Sequence, residues 1–350
     1  MEFLRRRLGL ILQILVSVLV IAWLSRIVDW GEVWLRMRSM DPGWIALGLL
    51  CFVPVLLIVS YRWRMLLAVH GIHLRFWRVL ELTMIGQFFG TIGLGTTGGD
   101  VAKVFYAARA VPTRRAAAAF TIVVDRVIGL VALLLFGVVL ALSQSKLLFA
   151  SKLALTPGLP DPKWVTRIFF LFAIGGVGAG LAATLGPCVM AMPKLRNLAK
   201  RLPVLNRGAP IFRAYEVTAR ATGTNLLALI ISIPSHVCIT LMGYCVIRAM
   251  GLTPDPMPLF AMIAMVNMLV ALPISVGGIG VRESLFIAYL GLLDIDKSHA
   301  TAFSITCFVM NLFWCLAGGP FYFLYRHETH TPAPNVAEVE PIFSEKSTLV

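Results

Sequence analysis

Charged residues are scarce in this sequence. Asp, Glu, Lys and Arg together make up 14% of its 350 residues, whereas hydrophobic residues make up 59%. A soluble domain carries about a quarter of its residues as charged side chains, so this composition excludes a chain built from soluble domains. With a mean hydropathy of +0.85, the sequence predicts an all-α integral membrane protein.

Acidic residues are fewer than basic ones: 17 Asp and Glu stand against 31 Lys and Arg, which gives a formal net charge of +14. A nucleic-acid-binding protein would concentrate such an excess in a compact basic domain. Here the basic residues are spread over the segments between apolar runs. The charge therefore indicates cytoplasmic loops of a membrane protein and no nucleic-acid partner.

The sequence also lacks the spacings that mark metal and cofactor sites. Its six cysteines form no CxxC pair and lie in or beside apolar runs, so we interpret them as packing residues. The stretch HETH at residues 327–330 does not have the spacing of HExxH. Gly93, Gly95 and Gly98 match GxGxxG, but no βαβ unit surrounds them. The sequence thus predicts neither a metal nor a cofactor.

Long apolar runs are what the sequence does contain. About six of them are long enough to cross ~30 Å of hydrocarbon. They are residues 8–24, 44–60, 116–142, 165–185, 226–247 and 300–325. Two further apolar segments, residues 79–108 and 257–293, are interrupted by glycine-rich stretches. We predict six full transmembrane helices and two re-entrant helical hairpins.

The distribution of Lys and Arg predicts the orientation. If each interrupted segment returns to the side from which it came, the connections on one side carry 20 Lys and Arg and those on the other carry 8. The positive-inside rule places the richer side, and both termini, in the cytoplasm. The order of elements then repeats with opposite orientation in residues 8–142 and 165–325, as in transporters built from inverted repeats. We expect one membrane domain over residues 1–325 and a short, disordered cytoplasmic tail over 326–350.

The first interruption contains the stretch GTIGLGTTGGDVAKVF. Its predicted turn residues are Gly95, Gly98 and Gly99. Glycine gives the backbone freedom to turn, and irregular backbone at membrane depth is tolerated only when it is buried in protein or lines a wet cavity. Two interpretations follow: a tight turn without a ligand, or a re-entrant loop that presents backbone groups, Asp100 and Lys103 to a polar substrate.

The second interruption has the same order of residue types. The predicted turn residues are Pro273, Gly277, Gly278 and Gly280. Arg282 and Glu283 follow at the start of the returning half-helix. The first amides of such a half-helix are unpaired and carry partial positive charge, which suits an anion such as a phosphate.

Asp125 and Arg126 lie inside the third apolar run, with Arg126 about 15 Å along it at 1.5 Å per residue. An arginine near the bilayer centre costs about 2.5–3.5 kcal/mol, so it is normally paired or faces water. Consecutive helical residues point about 100° apart, so these two need separate partners. The candidates are Asp100 or Glu283 for Arg126, and Lys103 or Arg282 for Asp125. The alternatives are a buried tie between helices or a functional site; we favour the second, because the candidate partners lie on the two interrupted segments.

Four stretches of the chain resemble one protein family. They are RWRMLL (62–67), GTTGGDVAKVF (95–105), DRVIGL (125–130) and LPISVGGIGVRES (272–284). The chain is similar, over about residues 8–325, to the lysylphosphatidylglycerol synthase transmembrane-domain family, also called flippase-like, which includes the membrane half of the bacterial multiple peptide resistance factor. The resemblance implies translocation of lipids between the leaflets of the bacterial inner membrane, with aminoacylated phosphatidylglycerol as the best-known cargo.

The resemblance also implies which residues serve this role. Those that would line the headgroup path are Asp100, Asp125, Arg126, Arg282 and Glu283. Bifunctional relatives carry a cytosolic aminoacyl transferase domain after the membrane region, and this sequence has none, so we expect a lipid flippase and not an enzyme. The expected partner is an anionic or aminoacylated phospholipid. The alternatives are a hopanoid or polyprenyl lipid as cargo, and a membrane subunit that works with a lipid-synthesis enzyme.

Overall fold

The computed structural model describes residues 15, 18–92, 96–149, 159–190, 209–271 and 275–330, and these residues form helices joined by short connections, without a strand. The helices are α1 (Val18–Ile27), α2 (Trp30–Arg38), α3 (Pro42–Val69), α4 (Phe76–Ile92), α5 (Thr96–Ala110), α6 (Arg115–Ser143), α7 (Ser145–Leu148), α8 (Pro162–Met190), α9 (Ala209–Arg220), α10 (Thr222–Ala249), α11 (Pro256–Val270), α12 (Val281–Leu290), α13 (Lys297–Leu316) and α14 (Gly319–His330). The all-α prediction is confirmed for this part of the chain.

Four helical stretches are long and apolar enough to cross a membrane. They are Pro42–Val69, Pro112–Ser143, Thr222–Ala249 and Lys297–Tyr325, and they contain the predicted runs 44–60, 116–142, 226–247 and 300–325. The run 165–185 lies within α8, a helix of 29 residues. Most of the run 8–24 lies outside the described residues, as do Gly95, Pro273 and the tail beyond residue 330. Residues 326–330, which were predicted to belong to the tail, lie in α14.

Aspartate followed by proline marks the start of three helices. Asp41 accepts a hydrogen bond from the amide of Gly43 at the start of α3, and Asp255 accepts one from Met257 at the start of α11. Asp161 does the same for Lys163 at the start of α8. The side chain satisfies an amide that has no partner within the helix, and the following proline already has a helical φ angle.

Helices α3 and α10 pack against each other in antiparallel orientation. The amide of Asp41 donates to the carbonyl of Ala249 at 2.9 Å, and farther along Arg62 of α3 bonds to Ser232 of α10. Each helix has 28 residues, and their internal prolines, Pro54 and Pro234, lie at the same distance from the first residue. The two helices are therefore alike in length and in the position of their internal proline.

The first interruption joins α4 and α5, which form a tight antiparallel pair. A Cβ atom on Gly99 would lie 2.4 Å from the carbonyl oxygen of Gly86 and 3.1 Å from Cα of Gly90, so the two backbones touch. Gly98 and Gly99 were predicted as turn residues, and this prediction is wrong because both lie in the first turns of α5. Gly99 is needed for close approach of two helices and not for a special backbone angle.

The second interruption lies between α11 and α12, and here glycine does serve the turn. Gly277, Gly278 and Gly280 have φ angles of 60°, 77° and 85°, which are strained for residues with a side chain. A Cβ atom on Gly278 would also lie 2.3 Å from Cγ1 of Val270. These three glycines therefore lie where the backbone turns between α11 and α12.

The two interrupted segments pack in reciprocal positions. Helix α4 contacts α13, the last long helix of the second half, and α11 contacts α6, the last long helix of the first half. Within each half, α5 contacts α6 and α12 contacts α13. Helix α11 is enclosed by protein, with most of its residues buried. The helices that flank each interruption thus contact other helices of the bundle.

Candidate functional site

A buried ion pair connects helices α3 and α6. Nε of Arg62 on α3 lies 2.7 Å from Oδ1 of Asp125 on α6, and the two side chains are 6% and 5% exposed. Nη1 of Arg62 donates to Oγ of Ser232 on α10 at 2.8 Å. One guanidinium therefore bonds to two other helices, which fixes the packing of α3, α6 and α10.

A glycine makes room for this guanidinium. A Cβ atom on Gly129 would lie 3.2 Å from both Nη1 and Nη2 of Arg62. The carbonyl of Gly129 accepts a hydrogen bond from Nε2 of His236 at 3.1 Å. The sequence DRVIG thus supplies both the carboxylate that binds Arg62 and the space in which the guanidinium lies.

Lys103 brings a second cation to the same carboxylate. Its Nζ lies 3.8 Å from Oδ2 of Asp125 and 3.9 Å from the ring centroid of Trp63, and its side chain is 8% exposed. Nε1 of Trp63 donates to Oγ1 of Thr121 at 3.1 Å, so the ring beneath the ammonium is held in place. The predicted proximity of Lys103 and Asp125 is confirmed.

Arg126 points away from Asp125 and pairs with Asp100 on α5. Its Nη2 and Nε lie 2.8 and 2.9 Å from Oδ1 of Asp100. This pair is half-exposed, with Arg126 at 49% and Asp100 at 31%. The prediction that adjacent Asp125 and Arg126 need separate partners is confirmed, and Asp100 is one of the two partners predicted for Arg126.

These five charged side chains form what we call the first charge cluster. Its members are Arg62, Asp100, Lys103, Asp125 and Arg126. Helices α3, α5 and α6 supply them, and Ser232 adds a hydroxyl from α10. The cluster runs from the buried pair at Asp125 to the exposed pair at Arg126, which lies about 16 Å along α6 at 1.5 Å per residue.

The second charge cluster consists of Arg282, Glu283 and Ser304. Nη2 of Arg282 lies 2.6 Å from Oε1 of Glu283, and Oγ of Ser304 donates to that same oxygen at 2.9 Å. The other oxygen of Glu283 accepts from the amide of Gly280 at 2.6 Å. The side chains of Arg282 and Glu283 are 12% and 8% exposed. The carboxylate of Glu283 thus accepts a hydrogen bond from the amide of Gly280, the residue just before α12, while it also pairs with Arg282.

One of the two alternative partners predicted for each residue is observed. Arg126 pairs with Asp100 and not with Glu283, and Asp125 pairs with Arg62 and Lys103 and not with Arg282. Glu283 is held at the start of α12 by the amide of Gly280, so Arg282 reaches it from the neighbouring position. Adjacent residues can pair here because both side chains are long and meet at a helix end.

Arg62 was missed as a site residue, and Ser232 and Trp63 with it. The sequence offered one signal for Arg62: a carboxylate inside an apolar run needs a cation. It gave no means of choosing Arg62 over other cations, because that choice depends on how α3 packs against α6.

Comparison with known protein families finds one match that covers most of the chain. The family model described as Lysylphosphatidylglycerol synthase TM region matches residues 10–319. The matched range contains both interruptions and both charge clusters. No curated protein matches the chain.

Proposed function

This chain belongs to the Lysylphosphatidylglycerol synthase TM region family, and on that premise we propose that it moves a polar-headed lipid between the leaflets of a bacterial inner membrane. The family supports a multi-pass membrane protein with a role connected to lipids. The observation that carries the proposal is the first charge cluster, which extends from a buried ion pair to a half-exposed one midway along a membrane-length helix.

The proposed architecture has six transmembrane helices and two re-entrant hairpins that enter from opposite faces, with both termini in the cytoplasm. Helices α3 and α10 would be equivalent members of an inverted repeat. Their equal lengths and matching prolines support this, as does the reciprocal packing of α4 on α13 and of α11 on α6. In transporters of this kind the substrate site lies where the interrupted segments meet long helices.

The half-exposed Arg126–Asp100 pair is the feature of the first charge cluster that most strongly supports a polar ligand. Arg126 is half-exposed at a depth where an arginine costs about 2.5–3.5 kcal/mol unless it is paired or hydrated. Asp100 supplies one partner but is itself partly exposed. A tie that only fixed helix packing would be buried, as the Arg62–Asp125 pair is. The exposed pair is therefore placed to meet a headgroup.

The proposed mechanism lowers the barrier that makes spontaneous lipid exchange slow. A phosphate loses its hydration when it enters hydrocarbon, and the cost is high unless other groups replace the water. Arg126 and Lys103 would bind the anionic part of the headgroup, while Asp100 balances them or binds a cationic part. The acyl chains stay in the bilayer. The second charge cluster, whose groups bind one another, would stabilise the opposite hairpin without binding the headgroup.

The proposal is tested by leaflet exchange of labelled lipids in reconstituted vesicles. The lipids are phosphatidylglycerol, lysyl-phosphatidylglycerol and cardiolipin. We expect exchange with the wild-type protein and none with Arg126→Gln. Arg167→Gln is a matched control, because Arg167 is an exposed arginine that lies over Trp164 on α8. Equal exchange by all three proteins would contradict a role for the first charge cluster.

A second function is favoured by the family description, which names a synthase. In that case the chain would be the membrane subunit of a lipid-modifying transferase, and the catalytic groups would belong to a partner enzyme. The observation that separates the two is co-purification of a soluble transferase, together with no exchange of any lipid by the purified chain. A hopanoid or polyprenyl lipid remains the alternative cargo if exchange is seen only in native lipid extracts.

A further inference from the structure

The outward face of helix α2 is apolar. Its large exposed side chains are Trp30, Trp34 and Leu35, which are 42%, 58% and 66% exposed. At 100° per residue these three positions fall within an arc of about 140° around the helix. Arg38 lies in the same arc, and its guanidinium lies over the ring of Trp34, 5.5 Å from the centroid. A helix face that meets water carries mostly polar side chains, so this face is suited to an apolar surrounding.

The opposite face of α2 makes the polar contacts with the protein. Oγ of Ser298, in the first turn of α13, donates to Oε2 of Glu32 at 2.9 Å. The other oxygen of Glu32 pairs with Nη2 of Arg36 at 2.9 Å, and Val33 on the same side is 2% exposed. Helix α2 thus turns charged groups toward the protein and apolar groups outward, which is the reverse of a surface helix in a soluble protein.

Helix α2 lies at one end of the membrane-length helices. Residues 39–41 connect it to the start of α3, and its Glu32 bonds to the first turn of α13. At the same end, the amide of Asp41 donates to the carbonyl of Ala249, the last residue of α10. Helices α3, α10 and α13 belong to stretches long and apolar enough to cross a membrane. Helix α2 therefore lies where these helices leave the hydrocarbon.

A second tryptophan at this end of the bundle is paired with an arginine. Arg248, near the end of α10, lies over the ring of Trp44, near the start of α3, 5.2 Å from the centroid. A third pair lies at the start of α8, where Arg167 is 5.0 Å from the ring centroid of Trp164. Trp164 is 62% exposed. Three different parts of the chain thus carry the same pair of residue types.

The start of α8 lies at the same end of the bundle as α2. A Cβ atom on Gly137 would lie 2.9 Å from the ring of Phe169, and one on Gly176 would lie 2.5 Å from Leu134. Helix α8 therefore runs antiparallel to α6. Because α6 starts beside the end of α3, it ends at the level where α3 begins, and α8 begins there too. The three tryptophan–arginine pairs therefore lie at one level.

We propose that these three pairs lie in the interfacial layer of the bilayer, and that the outward face of α2 binds this layer with its apolar side chains toward the acyl chains and Arg38 toward the headgroups. Tryptophan is enriched at this depth because its ring is amphipathic, and arginines near helix ends extend their charge to the headgroups. Helices with tryptophan and leucine on one face bind in this layer. The inference does not rest on the proposed function, since it concerns the lipid surface that surrounds the protein and not a lipid that the protein moves.

Brominated phospholipids test this proposal, because bromine quenches the fluorescence only of nearby tryptophans. The full chain is reconstituted in vesicles of phosphatidylcholine that carries bromine either near the headgroup end of its acyl chains or near their methyl end. Iodide serves as a quencher in the water. The signal of Trp34 is the difference between the wild-type protein and Trp34→Phe. Trp63→Phe is a matched control, because the side chain of Trp63 is 0% exposed.

We expect the shallow bromines to quench the Trp34 signal about twofold or more as strongly as the deep bromines, because the ring lies at the level of the headgroups. Iodide should quench it less than the shallow bromines do. The Trp63 signal should be quenched by none of the three. Trp30→Phe, on the same face of α2, provides a second variant if Trp34→Phe does not fold, with the same expected result.

Three results would overturn the proposal. Quenching by iodide without quenching by bromine would place the outward face of α2 in water. Quenching by neither would show that a second copy of the chain or another protein covers this face. Equal or stronger quenching by the deep bromines would place α2 in the hydrocarbon core. Leaflet exchange is measured separately, so its failure would refute the proposed function and leave this inference standing.

Discussion

The two charge clusters contain the same residue types but differ in how completely their charges are paired. Both lie beside a glycine-containing break between helices, and both contain arginine and carboxylate. In the second cluster both carboxylate oxygens of Glu283 accept hydrogen bonds within the protein, from Gly280, Arg282 and Ser304. The first cluster has one cation too many and an ion pair that is half-exposed. A cluster whose groups are all paired within the protein stabilises the fold, whereas a cluster with an excess cation and a half-exposed ion pair is suited to bind a ligand.

The largest loss of stability should follow Asp125→Ala. This change leaves Arg62 and Lys103 buried with no carboxylate between them, and breaking a buried pair in this way costs about 3–5 kcal/mol. Thermal unfolding in detergent, followed by size-exclusion fluorescence, should show a much lower midpoint or no folded protein. If the charge imbalance is the cause, Arg62→Met combined with Asp125→Leu should be more stable than Asp125→Ala. A double variant no better than the single one would contradict this explanation.

The break before α12 should be next in sensitivity. Gly278→Ala combines a positive φ angle with a Cβ atom 2.3 Å from Val270, and we expect a cost of about 2 kcal/mol or more. Gly277 has a φ angle of 60° but nothing within 4 Å of a Cβ atom. Gly277→Ala should therefore cost only the backbone strain, about 1 kcal/mol. Equal unfolding midpoints for the two variants would show that the close contact with Val270 adds nothing to the cost of Gly278→Ala.

Glu283→Gln should cost less than Asp125→Ala. The amide oxygen of glutamine can still accept from the amide of Gly280, but Arg282 loses its ionised partner in a nearly buried site. We expect about 1–3 kcal/mol, the usual cost of leaving a buried group poorly satisfied. The unfolding midpoint should fall while the affinity for phosphatidylglycerol stays the same. An affinity that falls with it would place Glu283 in the lipid path.

Sequence reasoning located both interruptions and several members of the first charge cluster, because glycine clusters and charges inside apolar runs are local signals. It failed where the outcome depends on packing. Arg62 lies just after the apolar run 44–60, and only the packing of α3 against α6 and α10 brings it to Asp125 and Ser232. Gly98 and Gly99 were assigned to a turn because the same residue type serves both turns and close helix contacts.

Arg126→Gln should have the smallest effect on stability, because it removes an arginine that is costly near the bilayer centre and because glutamine can still donate a hydrogen bond to the partly exposed Asp100. Its effect on transport should be the largest. This contrast makes it the most direct test of the account: leaflet exchange of phosphatidylglycerol, measured side by side for wild type, Arg126→Gln and Glu283→Gln at equal amounts of folded protein. We predict exchange by wild type and Glu283→Gln, and none by Arg126→Gln with an unchanged unfolding midpoint. Wild-type exchange by Arg126→Gln would contradict the proposal that the first charge cluster binds the lipid headgroup.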